Sequence, residues 1–82
     1  MYYFYILQCS DNTLYCGYAK DIKLREQEHN SGKGSKYVRA HGGGKVIYSE
    51  KFDTISQATK REAEVKKWSR IKKLALIKKS RI

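Results

Sequence analysis

Three side chains in this sequence stand where packing alone would not put them, and each is of a type that handles metal ions or phosphate. Glu62 is the clearest. Projected at about 100° per residue, Ile55, Ala58, Glu62, Val65 and Ser69 share an arc of roughly 80°, while Glu64 falls near the opposite face among lysines and arginines. A carboxylate aimed at a core raises the free energy unless it is paired or binds a cation. Two readings therefore stand side by side: an ion pair with an arginine from another element, or a ligand for a divalent ion. One oxygen ligand from a helix suits Mg²⁺, which keeps most of its waters and takes few protein carboxylates; Mn²⁺ would fit the same role. Arg25 and His29 repeat the pattern. With Ile22 they occupy one side of a helix at i, i+3 and i+7, so a cation and an imidazole flank an apolar contact. Taken singly, Arg25 reads as a solvated helix residue and His29 as a satisfied, partly buried one. Together with Glu62 they make a phosphate- and metal-handling set.

The tyrosines add to that set only if they share a side. There are seven, with Tyr2, Tyr3 and Tyr5 in one apolar run and Tyr15 and Tyr18 in the next. A phenol can orient a phosphate, or act as a base in a cationic setting, since its reference pKa lies near about 10. It is also an ordinary residue of half-buried strands. Register decides between these. A two-residue turn at Asp11-Asn12 would pair Cys9 with Leu14 and send Tyr5 and Tyr15 to opposite faces. A three-residue loop, Asp11-Asn12-Thr13, or a bulge brings them to one face. An odd loop or bulge is the expectation.

These residues need elements to hold them. Tyr2 to Cys9 and Thr13 to Tyr18 read as strands joined at Ser10-Asp11-Asn12. Asp21 offers an N-cap for a helix to about Asn30. Ser31-Gly32-Lys33-Gly34-Ser35 breaks it, and a short helical piece follows through Arg39. Gly42-Gly43-Gly44 is a loop and Lys45 to Phe52 a third strand. Thr54 caps a longer helix reaching about Trp68, and Ser69 begins a last basic helix with Leu74, Leu76 and Ile77. The order β-β-α-α-β-α-α predicts an α+β fold: a small three-stranded antiparallel sheet flanked by helices. Residues 1–82 are enough for one domain and one core.

Charge names the class of partner. Eighteen Lys plus Arg against eight Asp plus Glu leave a net charge of +10, a positive field suited to a polyanion. Lys33, Lys36 and Arg39 follow the first helix, and Lys66, Lys67, Arg70 and Lys73 form a basic face late in the chain. The Lys33 loop lacks the spacing of a triphosphate-binding motif and follows a helix, so contact with a nucleic-acid backbone fits it better. Cys9 and Cys16 are too few for a disulfide scaffold, and with His29 and His41 they fit no zinc spacing. Met1 to Leu7 is too short to span a bilayer or act as a signal core. A soluble, cytoplasmic protein with reduced thiols and no membrane partner is expected.

At this point the residues resemble a known pattern, that of the GIY-YIG endonucleases. Tyr3-Phe4-Tyr5-Ile6-Leu7 is similar to the first half of the signature, and Leu14-Tyr15-Cys16-Gly17 to the second. Asp21 to Arg25 and His29 to Gly32 resemble the helix with the catalytic arginine, and Ala58 to Lys66 the helix with the metal-binding glutamate. The resemblance runs to about Ile77 and lies nearest a small, stand-alone bacterial branch related to the incision nuclease of nucleotide-excision DNA repair. It implies that Tyr5 and Tyr15 are the signature tyrosines, one placing or activating the attacking water. It further implies that Arg25 stabilises the charge on the pentacoordinate phosphate, that His29 assists, and that Glu62 holds a single Mg²⁺ or Mn²⁺. Tyr3 replaces the opening glycine of the signature. Tyr18 stands where some relatives carry lysine, and no asparagine follows Asn30.

The function so implied is metal-dependent hydrolysis of phosphodiester bonds, in DNA above RNA, with weak or structure-based specificity. The alternative is a non-catalytic basic module that only binds nucleic acid. A directing protein partner or a homodimer is compatible with either.

Overall fold

The computed structural model describes residues 1–79. Its strands are β1 (Tyr2–Cys9), β2 (Leu14–Ala19) and β3 (Gly44–Phe52); its helices are α1 (Ile22–Asn30), α2 (Lys36–Ala40), α3 (Ile55–Lys66) and α4 (Arg70–Lys79). The expected order β-β-α-α-β-α-α holds. The strands form one antiparallel sheet in the order β2-β1-β3. Among the described residues no helix is long and apolar enough to cross a membrane.

β1 lies in the middle, and its sequence says why. Phe4-Tyr5-Ile6-Leu7 is an unbroken buried run, as expected of a strand covered on both faces rather than one. Phe4 and Ile6 point to one side, where Cys16, Val65 and Ile77 complete a core with α3 and α4. Tyr5 and Leu7 point to the other, where Cys9, Ala19 and Val38 complete a second core, with Ile22 of α1 packed against it. The sheet is thus the middle layer of three. Both cysteines are free and buried in these cores.

The hairpin settles the parity. Leu7 pairs with Tyr15 and Tyr5 with Gly17, so the Tyr5 and Tyr15 side chains leave the same face. The loop is odd, but it is Ser10-Asp11-Asn12, one residue earlier than Asp11-Asn12-Thr13. The Cys9 N–H donates to the Thr13 carbonyl at 2.8 Å, and the Asn12 N–H to the Cys9 carbonyl at 2.9 Å. Asn12 supplies the left-handed residue such a loop requires, at φ 71°, a conformation Asn tolerates better than most side chains. A second irregularity lies on the other side of β1. Ile6 faces Tyr48 but Leu7 faces Val46, so Ile47 is an extra residue in β3. This bulge turns Ile47 and Tyr48 both toward the first core while Val46 faces the second, which simple alternation would forbid.

The helices begin as their caps dictate. The Asp21 carboxylate accepts from the Leu24 N–H at 3.1 Å. Thr54 and Gln57 close a reciprocal capping box on α3. Ser69 accepts the Lys72 N–H and opens α4. α3 stops at Lys66, two residues before the expected Trp68, so Ser69 lies in the break between helices rather than on the inward stripe. Ile55, at the first turn, is exposed. Ala58 and Val65 alone carry the fully buried stripe of α3.

α3 is fastened to the sheet by charge as well as packing. The Arg61 guanidinium donates from Nε to Glu50 at 2.8 Å and from its NH2 nitrogen at 3.1 Å, and it also pairs with Glu64. Burial raises the Glu50 pKa, but hydrogen bonds from Arg61 and Tyr48 outweigh it and hold the carboxyl below its usual range. The Tyr48 phenol is pushed up to about 12 by burial and by its bond to Glu50. The Trp68 ring lies under both Arg61 and the Lys72 ammonium, 5.1 and 4.3 Å from its centre.

Arg61→Met keeps an unbranched apolar stem but leaves Glu50 without its cation. A loss of about 1–3 kcal/mol in folding free energy is expected, read as a lower urea midpoint at unchanged slope. Adding Glu50→Gln should recover part of it. An unmoved midpoint in the single variant would show that the network carries no stability.

Candidate active site

Tyr5 ends in the site's one buried polar contact between elements. Its hydroxyl lies 2.8 Å from His29 Nε2, joining the central strand to the last turn of α1. The other ring nitrogen, Nδ1, accepts the Ser35 backbone N–H at 3.2 Å. A backbone N–H can only donate, so Nδ1 is the bare nitrogen and Nε2 carries the proton. The imidazole therefore donates to Tyr5 Oη, and the tyrosine's own proton is left to point elsewhere. Burial lowers the His29 pKa, the Arg25 charge lowers it further, and Glu28 opposes them only in part. Burial likewise raises the Tyr5 pKa, helped by Tyr15 and opposed by Arg25. At neutral pH the pair is a neutral imidazole and a protonated phenol.

Two glycines let these groups approach. A Cβ on Gly17 would sit 2.6 Å from Tyr5 Oη, and one on Gly34 would sit 2.4 Å from His29 Nδ1. The first explains why a glycine ends Leu14-Tyr15-Cys16-Gly17: the phenol lies across the bare backbone of β2. The second lets the loop after α1 fold onto the histidine, so that Ser35 reaches Nδ1 while its side chain caps α2. Asn30 and Glu26 fasten the end of α1 to β3: Asn30 exchanges hydrogen bonds with the Gly44 backbone, and Glu26 accepts the Val46 N–H.

The cleft that opens over this pair has a volume of about 380 Å³ and is lined by Tyr15, Arg25, Glu28, His29 and the loop Lys33 to Ser35. The Tyr15 ring stands 5.5 Å from His29 and 6.4 Å from Tyr5, centre to centre. Arg25 pairs with Glu28 at 3.2 Å, both about half exposed. The cleft continues, sharing Tyr15 and Ser35, into a second hollow bordered by Lys66 and Lys73. Of the other expected backbone-binding residues, Lys36, Arg39, Lys67 and Arg70 are exposed but line neither hollow.

Glu62 is half-buried. It is within electrostatic reach of both Tyr5 and Cys16, whose side chains leave opposite faces of the sheet, which puts it beside the β2 edge. The ion-pair reading predicted an arginine partner. Arg61, its neighbour in sequence, turns instead to Glu50 and Glu64, and among the described residues Glu62 makes no hydrogen bond or ion pair. The described residues hold no group of three or more His, Cys, Asp or Glu suited to a metal. Glu62 itself lines neither hollow; a lone, unpartnered, half-buried carboxylate fits an ion that keeps most of its water, and it would not fit zinc. Ser35, Gly34 and Tyr37 were not singled out from sequence, since a backbone donor, a missing Cβ and one more tyrosine give no local signal.

The chain matches the family model described as the GIY-YIG catalytic domain over residues 1–75. It is 51% identical over 76 residues to a UPF0213 protein of Staphylococcus saprophyticus, covering 93% of each chain. It is 47% identical over 77 residues to a UPF0213 protein of Staphylococcus aureus, covering 94% of each. Two solved structures are similar. One is a protein from E. faecalis, with TM-score 0.63 and 43% identity over 98% of this chain and 85% of that one. The other is a UPF0213 protein from Bacillus halodurans, with TM-score 0.59 and 40% identity over 95% of this chain and 84% of that one.

The lowered His29 pKa has a consequence for stability. The unfolded chain takes up a proton near the ordinary value of 6.5 and the folded chain only below it. The contribution of neutral His29 is therefore complete above that value and is lost as pH falls through the folded pKa. Wild type should melt progressively lower as pH falls from about 7.5 toward 5, and His29→Gln should flatten that slope. Asp11 and Glu50, also lowered, titrate below this window. Equal slopes in the two proteins would rule out the buried neutral imidazole.

Proposed function

The chain belongs to the GIY-YIG family, and on that footing we propose that it is a metal-dependent endonuclease acting on nucleic acid, with DNA the favoured substrate. One observation carries the reading: Tyr15, Arg25 and His29 line a single cleft, Tyr5 lies behind it hydrogen-bonded to His29, and the unpartnered carboxylate of Glu62 stands within electrostatic reach of Tyr5.

The side chains divide the work by what their surroundings permit. Tyr5, held protonated by burial and receiving a hydrogen bond from His29, is a donor toward a phosphate oxygen or a water. It is ill-suited to take a proton. Tyr15, half-buried and lining the cleft, is left to place and activate the attacking water. Arg25, on the same wall, opposes the charge that gathers on the non-bridging oxygens as the phosphorus becomes pentacoordinate. Water adds to phosphorus and gives up a proton, the ester P–O bond breaks in line, and the leaving oxygen takes up a proton in exchange, so that one water is divided between the two products. Glu62 would hold the ion, Mg²⁺ or Mn²⁺, which when bound neutralises phosphate and leaving-oxygen charge. Lys33, Lys66 and Lys73 flank the cleft and would seat the strand. Lys36, Arg39, Lys67 and Arg70 would contribute longer-range attraction. The net charge of +10 supports this role.

Glu62→Gln keeps size and removes charge. Cleavage of supercoiled, branched and single-stranded DNA with Mg²⁺ should fall below detection, while binding persists or strengthens slightly. The melting point should hold or rise, because no partner cation is stranded. A variant that cuts at the wild-type rate would end the mechanism. A wild type that binds all three and cuts none would leave the non-catalytic binding module.

Affinity should fall steeply between about 50 and 200 mM salt as counterions are released from the backbone. Lys66→Gln with Lys73→Gln should flatten the slope by roughly the number of contacts removed. Salt-independent affinity would point to a different partner.

A further inference from the structure

Tyr15 reaches the cleft from β2, an edge strand of the sheet. Its outer side therefore has no neighbouring strand, among the described residues, to fix the ring. His29 meets that ring edge-to-face, 5.5 Å away and 71° from parallel. Tyr37 is stacked on it, with centres 5.7 Å apart and planes 27° from parallel. The other face of Tyr37 is covered by His41, 4.3 Å away and 33° from parallel. Tyr37 is thus sandwiched, with the cleft tyrosine on one face and an imidazole on the other.

The far end of this row is anchored. His41 Nδ1 is bonded to the Asp11 carboxylate. That carboxylate also accepts the Thr13 hydroxyl at 2.6 Å and the Thr13 N–H at 3.1 Å. Bonds from Thr13 and His41 pull Asp11 down to about 2, so the carboxylate is ionised and Nδ1 is the donor. The backbone makes the same tie independently. The Ser10 N–H donates to the Gly43 carbonyl at 2.9 Å, and Ser10 Oγ to the Gly42 carbonyl at 2.7 Å. The contacts close a ring: Asp11 holds His41, His41 covers Tyr37, Tyr37 covers Tyr15, and Tyr15 follows Asp11 by four residues.

Packing does not require this row. Neither core uses the Tyr37 ring, since Val38, the next residue, is the one α2 buries. Tyr37 is 42% exposed, and its hydroxyl makes no hydrogen bond among the described residues. Its two faces are what the structure uses.

We propose that Tyr37, clamped by His41, is a positioning residue for Tyr15: the row Asp11-His41-Tyr37 fixes the angle at which the Tyr15 phenol enters the cleft. The inference rests on the nuclease reading above and names what aims the side chain that places the attacking water. Aim matters because a displacement of about 1 Å can lower a rate roughly a hundredfold. Tyr37 and His41 act through Tyr15 and need not meet the substrate.

The test reads aim and turnover separately. Aim is read by NMR in EDTA without substrate, on the Tyr15 ring protons, assigned by their loss in Tyr15→Phe. In wild type they should lie upfield of an exposed tyrosine, because the stacked Tyr37 ring shields them. Tyr37→Ala should move them downfield, toward a free tyrosine. His41→Ala should move them the same way by a smaller step, although His41 stacks on Tyr37 rather than on Tyr15. Turnover is read on single-stranded DNA with Mg²⁺. Tyr37→Ala should lower kcat by roughly ten- to a hundredfold while changing KM less than about threefold. Tyr37→Phe keeps both ring faces and should restore both readouts. Tyr15 signals that stay in place in Tyr37→Ala or in His41→Ala would overturn the proposal. So would a loss carried by KM, which marks a strand-binding side chain, or a loss that Tyr37→Phe shares. Failure of the nuclease reading shows differently: wild type would keep its shielded Tyr15 signals and yet cut nothing when Mg²⁺ is supplied.

Discussion

The hydrogen bond between His29 and Tyr5, 2.8 Å long and buried, is the contact on which the rest of the site depends. A buried phenol and a buried imidazole each need a partner, since leaving either unsatisfied costs about 1–3 kcal/mol. They satisfy each other only if α1 lies over the Tyr5 face of the sheet. That in turn needs Gly17 bare beneath the phenol and Gly34 bare beside the imidazole. The loop closes by giving the Ser35 N–H to Nδ1, which sets the tautomer. Helix placement, loop closure and tautomer thus follow from one pair.

A second constraint is the scarcity of acid. With eight Asp plus Glu in the chain, where each carboxylate is spent decides what remains for chemistry. Glu50 and Glu64 are taken by Arg61, Glu28 by Arg25 and Asp11 by His41. Glu26 accepts a strand N–H and Asp21 caps α1. Glu62 and the exposed Asp53 stay free of such partners among the described residues, and of the two only Glu62 is half-buried. Its isolation is a product of the network around Arg61, which draws the adjacent guanidinium away to β3 and leaves the β2 edge with one carboxylate and a line of lysines.

Much of this was legible in the chain. Caps at Asp21 and Thr54 act locally, so both helix starts can be read from sequence. The apolar run at Phe4 to Leu7 marks a strand buried on both faces. Parity also had to bring Tyr5 and Tyr15 together if they share a site, and the hairpin obeys, though with a loop one residue earlier because Asn12 rather than Thr13 takes the left-handed position. The bulge at Ile47 left no mark, because Val46-Ile47-Tyr48 reads equally well as plain alternation. Arg61 and Glu50, eleven residues apart, looked like ordinary surface charges until α3 was laid across β3.

The sequence by itself determined the order of elements, the charge of the surface and the residue types available for catalysis, because capping, periodicity and composition are local or additive properties. Only the tertiary structure decided which of those residues are free to act. That Tyr5 is held protonated depends on its burial under α1. That Glu62 has no ion pair among the described residues depends on where Arg61 finds its acids. That Tyr37 borders the second hollow and not a core depends on which side of α2 packs against the sheet. Each turns on distances between segments far apart in the chain, and a one-dimensional pattern carries no record of them.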